Sequence, residues 1–156
     1  NETSAFAVMD IDNNGKLELL VSLCSNNGIM PCAGLYIKND EGDYEYIGNM
    51  NYYVPETGEI IYEYGSVDTF FEVFASDGSE WKIVERISSV ENLEGFVYTK
   101  GKDSDEVEIS KEEFDHLWYT YTHNAKPIKG QLMTIENIEE ALGVKICGNG
   151  KIISDK

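Results

Sequence analysis

Asp10-Ile11-Asp12-Asn13-Asn14-Gly15-Lys16-Leu17-Glu18 is an oxygen-rich turn set between two apolar runs, 6–10 and 17–23. Short apolar runs on either side of a polar turn read as the two strands of a hairpin. The pattern repeats downstream. Runs 35–38 and 44–47 flank Asn39-Asp40-Glu41-Gly42-Asp43, and 51–54 and 59–64 flank Pro55-Glu56-Thr57-Gly58. Runs 69–75 and 80–87 flank Ser76-Asp77-Gly78-Ser79, where Asp-Gly supplies the positive φ angles of a tight hairpin. Runs 95–99 and 106–109 bracket an acidic turn over 100–105. Turn signals at such regular spacing predict an antiparallel meander.

After residue 109 the period changes. Ser110, with Glu113 three residues on, matches a capping box, in which each side chain satisfies the other's backbone N–H. The stretch 111–121 follows as a helix with Phe114, Leu117, Trp118 and Tyr121 on one face. Thr134 opens a second helix whose buried side is spaced as Ile135, Ile138 and Leu142, and Gly143 is placed to end it. Between them, 122–133 reads as a loop with Pro127 and Gly130. The tail places Asn149-Gly150 between two short apolar runs, as in a last small hairpin or a loosely held end. The expected fold class is therefore α+β, mainly β: an antiparallel meander sheet with two short C-terminal helices. No composition break marks a boundary, so 1–156 is expected to be one domain, strand-rich over 5–109, helical over 110–143, with a tail at 144–156.

Charge narrows the partners. Twelve Lys and Arg against 29 Asp and Glu leave a formal charge of −17. Phosphate backbones would be repelled, so nucleic acid is not an expected partner. The longest apolar runs are too short to cross a bilayer. The plain role of such acidity is solubility, and the functional one is convergence of some carboxylates on a metal. The chain starts at Asn1 without a charged and apolar leader, so export is not read from a leader directly.

The opening turn is where the chemistry lies. Oxygen-bearing side chains stand at its relative positions 1, 3, 5 and 9, with glycine at position 6. Ca²⁺ takes six to eight hard oxygen ligands in a flexible shell, at roughly 2.3–2.6 Å. Three carboxylates crowded into one turn repel one another unless a cation intervenes. The expected ligands are Asp10, Asp12, Asn14, the Lys16 carbonyl and Glu18, and the expected ion is a structural Ca²⁺. Mg²⁺ suits the turn less, because it demands octahedral geometry and keeps its waters. The turn starts like an EF-hand loop, but Val21 stands where that loop needs a bidentate Glu, and the flanks have no helical period.

The spacing DxDxNGxxE between two strands resembles the calcium loop of FG-GAP repeats in integrin-type β-propellers. The resemblance implies metal binding by Asp10, Asp12, Asn14, the Lys16 main chain and Glu18. Asn14 and Glu18 each stand where that family usually has Asp, and one such loop does not make a propeller. Across residues 5–142, the succession FAVMDIDNNGKLELLVS, YEYIG, YYVPETGEIIYE, ASDGSEWKIVER and ISKEEFDHLW resembles exported or lipid-anchored proteins of gut Firmicutes. That resemblance implies an extracellular or cell-envelope location in a bacterium, with a lipid tether upstream of Asn1 as one form of it.

Other residues carry less. Cys24 and Cys32 flank a turn-rich stretch, and either a disulfide or two half-buried thiols fits them; Cys147 is the odd one, read as free. None has the spacing of a zinc site. His116 and His123 read as ordinary surface residues, and Asp103-Ser104-Asp105-Glu106 as a solvated hairpin tip. Tyr44/Tyr46, Tyr52/Tyr53 and Tyr62/Tyr64 fall on successive predicted strands, where residues two apart share a face. They read as cross-strand packing or, functionally, as an aromatic face for glycan or protein, with Tyr44, Tyr46, Tyr62 and Tyr64 as its members. No nucleophile elbow, phosphate loop or CxxC occurs, and no carboxylate pair of glycosidase type can be located. The expected function is an exported, calcium-stabilised, non-catalytic binding module. A carbohydrate-recognition domain using the tyrosines is the alternative, and a hydrolase with an unlocated carboxylate pair comes third.

Overall fold

The strands predicted on either side of the turns at 10–18, 39–43, 55–58, 76–79 and 100–105 pair antiparallel as expected. The structure, a computed structural model, describes residues 3–78, 80–146 and 152–155, the last four and Asp103 by backbone alone. Strand β1 (Ala5–Met9) pairs antiparallel with β2 (Glu18–Ser22) across the oxygen-rich turn. A short strand, β3 (Ile29–Met30), precedes β4 (Ala33–Lys38), which pairs with both β2 and β5 (Tyr44–Met50). The chain then runs through β6 (Tyr52–Val54), β7 (Glu59–Gly65), β8 (Thr69–Ser76), β9 (Trp81–Asn92), β10 (Gly95–Lys100) and β11 (Val107–Ile109), each paired antiparallel with the next. Ser79, one of the predicted turn residues, lies outside the described residues.

The meander is divided between two sheets. Asn51 stands at the division: its backbone N–H donates to Ile61 O at 2.8 Å, its amide to Pro31 O at 2.7 Å, and its Oδ1 accepts the Glu63 N–H at 2.6 Å. These bonds satisfy the backbone where the chain leaves one sheet for the other. The segment 122–133, expected as a loop, carries two short strands instead, β12 (Lys126–Lys129) and β13 (Gln131–Leu132). Pro127 and Gly130 hide these strands from a local reading, because their partners β6, β3 and β1 are far away in sequence. The first sheet has the order β13-β1-β2-β4-β5, and the second β11-β10-β9-β8-β7-β6-β12-β3. Gly130 lies at the crossing between them. A Cβ there would fall 2.7 Å from both Met30 Sδ and Phe6 O, so only glycine fits.

Alternation along β7 places one core on each face of the second sheet. Ile60 joins Ala5, Ile11, Leu20, Leu35 and Met50 in a core shared with the first sheet. Ile61, its neighbour, joins Phe71, Val73, Ile87 and Phe114 on the opposite face, which helix α1 (Lys111–Thr122) covers. The Ser110 hydroxyl accepts the Glu113 N–H at 3.1 Å, as the cap pattern predicts. Leu117 and Tyr121 pack on this core, whereas Trp118, expected on the same face, stays exposed. Helix α2 (Ile135–Leu142) is capped by Thr134 and ends at Gly143 in the left-handed conformation. None of its residues is buried: Ile135 and Leu142 remain exposed and Ile138 half-buried, because α2 lies outside both cores. The tail forms a hairpin of β14 (Val144–Ile146) with β15 (Ile152–Asp155), while Cys147, Asn149 and Gly150 lie outside the described residues. The α+β, mainly β class is as expected. Among the described residues no helix is long and apolar enough to cross a membrane.

Candidate metal centre

The β1–β2 connection is wound by its own side chains. Asp10 accepts the Asn14 N–H at 3.0 Å on one carboxylate oxygen and the Gly15 N–H at 2.9 Å on the other. Asp12 accepts the Asn14 N–H at 3.2 Å and the Asn14 amide at 2.9 Å, and Asn14 Oδ1 accepts the Lys16 N–H at 2.7 Å. Asn13 takes a positive φ of 59°, which short amide side chains tolerate.

Two residues tie this turn to the protein interior. Ile11, 2% exposed, is a member of the core between the sheets. Glu18 is 3% exposed, and one of its carboxylate oxygens accepts the Ile11 N–H at 2.7 Å. One carboxylate oxygen from each of Asp10, Asp12 and Glu18 lies within 4.8 Å of the other two. Among the described residues none of the three pairs with a Lys or Arg. Burial pushes the Glu18 carboxyl up to about 7; the Ile11 N–H works against this, and Asp12 and Asp10 add to it. An all-oxygen group with several carboxylates and no nitrogen or sulfur donor fits a hard divalent cation.

Of the five expected ligands, the carboxylates of Asp10, Asp12 and Glu18 converge. The Asn14 and Lys16 residues are exposed, and Asn14 Oδ1 accepts the Lys16 N–H. Gly58 was read only as a turn residue, yet it packs on the loop backbone. At a φ of 70°, a Cβ there would fall 2.7 Å from Asp12 Cα and 2.9 Å from Ile11 O. The 55–58 turn of the second sheet thus holds the loop of the first, a contact with no signal in local sequence. Asp12, Asn14, Lys16 and Glu18 also line an open cleft of about 920 Å³, which Tyr44 and Trp81 share.

The tyrosines fall into separate groups. Tyr44 and Tyr46, 43% and 52% exposed, stand on β5 at the edge of the first sheet, where Tyr46 meets Tyr36 at 5.4 Å between ring centroids. Tyr62 and Tyr64 stack at 4.8 Å on β7, and Tyr64 stacks on Phe70 at 5.2 Å. Tyr53 packs toward the first core and Tyr52 toward the second. β5 and β6 belong to different sheets, because the chain changes sheet at Asn51.

His116 and His123 are exposed, and His123 stacks on Tyr119 at the end of α1. Ser104, Asp105 and Glu106 are exposed as expected of a hairpin tip, and the Asp103 side chain is outside the description. Cys24 and Cys32 are free thiols, each half-buried. Neither a protein-family model, nor a characterised protein, nor a solved structure matches the chain.

Proposed function

We propose that this chain is an exported binding or interaction module, stabilised by one Ca²⁺ and without catalytic activity. The observation that carries the reading is the meeting of Asp10, Asp12 and Glu18 without a basic partner, one of them buried. Like charges gathered in this way cost free energy that a divalent cation reverses. Asn14 and the Lys16 carbonyl are the remaining oxygen donors of the loop. The ion's role is structural. It holds the β1–β2 turn closed and, through the contact with Gly58, supports the junction of the two sheets. The likeness to FG-GAP loops and to exported Firmicutes proteins points the same way.

The test is thermal unfolding in millimolar Ca²⁺ and in a chelator. Saturation at 100 times Kd stabilises by about 2.7 kcal/mol, which raises Tm by roughly 5–10 °C in a chain of this size. Asp12→Ala is expected to abolish that difference. Equal Tm values for the wild type in the two buffers would overturn the reading.

The open cleft favours a second reading, in which a glycan rests beside the loop. Tyr44 and Trp81 supply aromatic faces, and Asp12, Asn14 and Asp40 supply polar partners. Soluble glycans would then quench tryptophan fluorescence in wild type and not in Trp81→Ala. Absence of quenching across a glycan panel removes this reading and leaves the first intact.

A further inference from the structure

The face of the second sheet that packs on α1 continues into a groove beside the helix. Directly opposed residues of an antiparallel ladder share a face. The pairs Glu63–Phe71, Thr69–Ser89 and Ser89–Tyr98 therefore set these side chains on one face across β7, β8, β9 and β10. Phe71 belongs to the core under α1, and Tyr98 packs against that core. Glu63, Thr69 and Ser89 line a groove of about 410 Å³, to which α1 adds Phe114 and Trp118.

The groove is aromatic. Phe96 and Tyr98 lie 6.4 Å apart between ring centroids, and Tyr98 and Phe114 5.2 Å. Phe96 and Trp118, which follows Phe114 by one helical turn, remain 47% and 40% exposed. It also carries an uncompensated charge. Lys111 and Asp115, both on α1, pair with each other. Glu63 is half-buried, and among the described residues its carboxylate meets neither a basic side chain nor a hydrogen-bond donor. Burial pushes that carboxyl above its ordinary value, and no cationic neighbour lowers it. The Ser89 hydroxyl, on a residue only 8% exposed, has no partner among the described residues either.

These features select a class of ligand. Anions would be repelled by Glu63, and a hard divalent cation needs about six oxygens or more where this groove offers one unpaired carboxylate. An organic ammonium needs less: one carboxylate and a hydroxyl for its N–H groups, and aromatic surface beside its charge and stem. We propose that the groove binds an alkylammonium ion, with its head on Glu63 and Ser89 and its apolar stem against Phe96 and Trp118. None of these residues belongs to the metal loop, so binding is expected with or without Ca²⁺.

The experiment titrates n-butylammonium into the isotope-labelled protein, in chelator, and follows the backbone amides by NMR. The uncharged counterpart, n-butanol, is titrated in parallel. Saturable shifts are expected at Glu63, Ser89, Tyr98 and Trp118, with Kd for n-butylammonium roughly millimolar and n-butanol about tenfold weaker or more. Glu63→Gln keeps the shape and removes the charge, and should weaken n-butylammonium about tenfold while leaving n-butanol unchanged. Glu108→Gln removes the same charge from an exposed position on β11 and should leave Kd as in wild type. No saturable shifts at the groove, or equal affinity of the wild type for the two probes, would overturn the proposal. So would an unaltered Kd in Glu63→Gln, or equal weakening by Glu108→Gln, which would reveal only general attraction to an acidic chain.

Discussion

The turns 10–18 and 39–43 begin with the same chemistry and end differently. In 39–43, Asn39 Oδ1 accepts the Glu41 N–H at 3.1 Å and the Asp43 N–H at 2.9 Å, much as Asp10 gathers the amides of Asn14 and Gly15. Asp40, Glu41 and Asp43 nevertheless all face solvent. In 10–18, Ile11 enters the core and draws its own N–H to Glu18, so a buried carboxylate lies beside two partly buried ones. Each turn carries three acidic residues. What separates them is one apolar anchor and one acid taken out of water, because desolvation makes an unpaired charge expensive and a bound cation correspondingly favourable.

The hardest test of this contrast removes the anchor. Ile11→Ala deletes a fully buried side chain, so a loss of about 2–4 kcal/mol in denaturant unfolding is expected, with a smaller Ca²⁺-dependent rise in Tm. A full Ca²⁺ effect in that variant would show that the loop gathers its carboxylates without the core.

A medium effect concerns pH. Glu18 titrates near 7 in the folded chain, against an ordinary value of 4.5. Between those values the folded chain holds a proton that the unfolded chain has lost. The Glu18 contribution is therefore fully present below 4.5 and is lost as pH rises through 7. In chelator, Tm should fall through this group between about pH 5 and pH 8, while the gain from Ca²⁺ widens as the competing proton leaves. Glu18→Gln is expected to flatten both trends. Matching pH profiles for wild type and variant would contradict the burial of this acid.

The smallest effect lies in the other turn. Asp40→Asn should change stability by no more than about 0.5 kcal/mol and leave the Ca²⁺-dependent Tm difference as in wild type. A larger change would bring 39–43 into the site, whose cleft Asp40 borders.

Much of the fold was readable where partners are near in sequence. The hairpin pairings between residues 5 and 109, the Ser110 and Thr134 caps and the Gly143 stop form, because each depends on hydrogen bonds between residues near in sequence. Of the site, Asp10, Asp12 and Glu18 were readable from spacing alone, and they do converge. Asn14 fits the same spacing, and its oxygen accepts the Lys16 N–H. The strands at 126–132 were not readable, because Pro127 and Gly130 hide them and their pairing partners lie in other parts of the chain.

Sequence alone determined the period-two runs, the turn types, the helix caps and the order of oxygens along 10–18. These are properties of neighbouring residues, and local sterics and short hydrogen bonds decide them. Tertiary structure alone decided that the meander changes sheet at Asn51, that the tyrosines divide between two sheets, and that Gly58 presses on Asp12. Those outcomes depend on which apolar faces bury each other across the chain, and the competition among distant surfaces leaves no local mark.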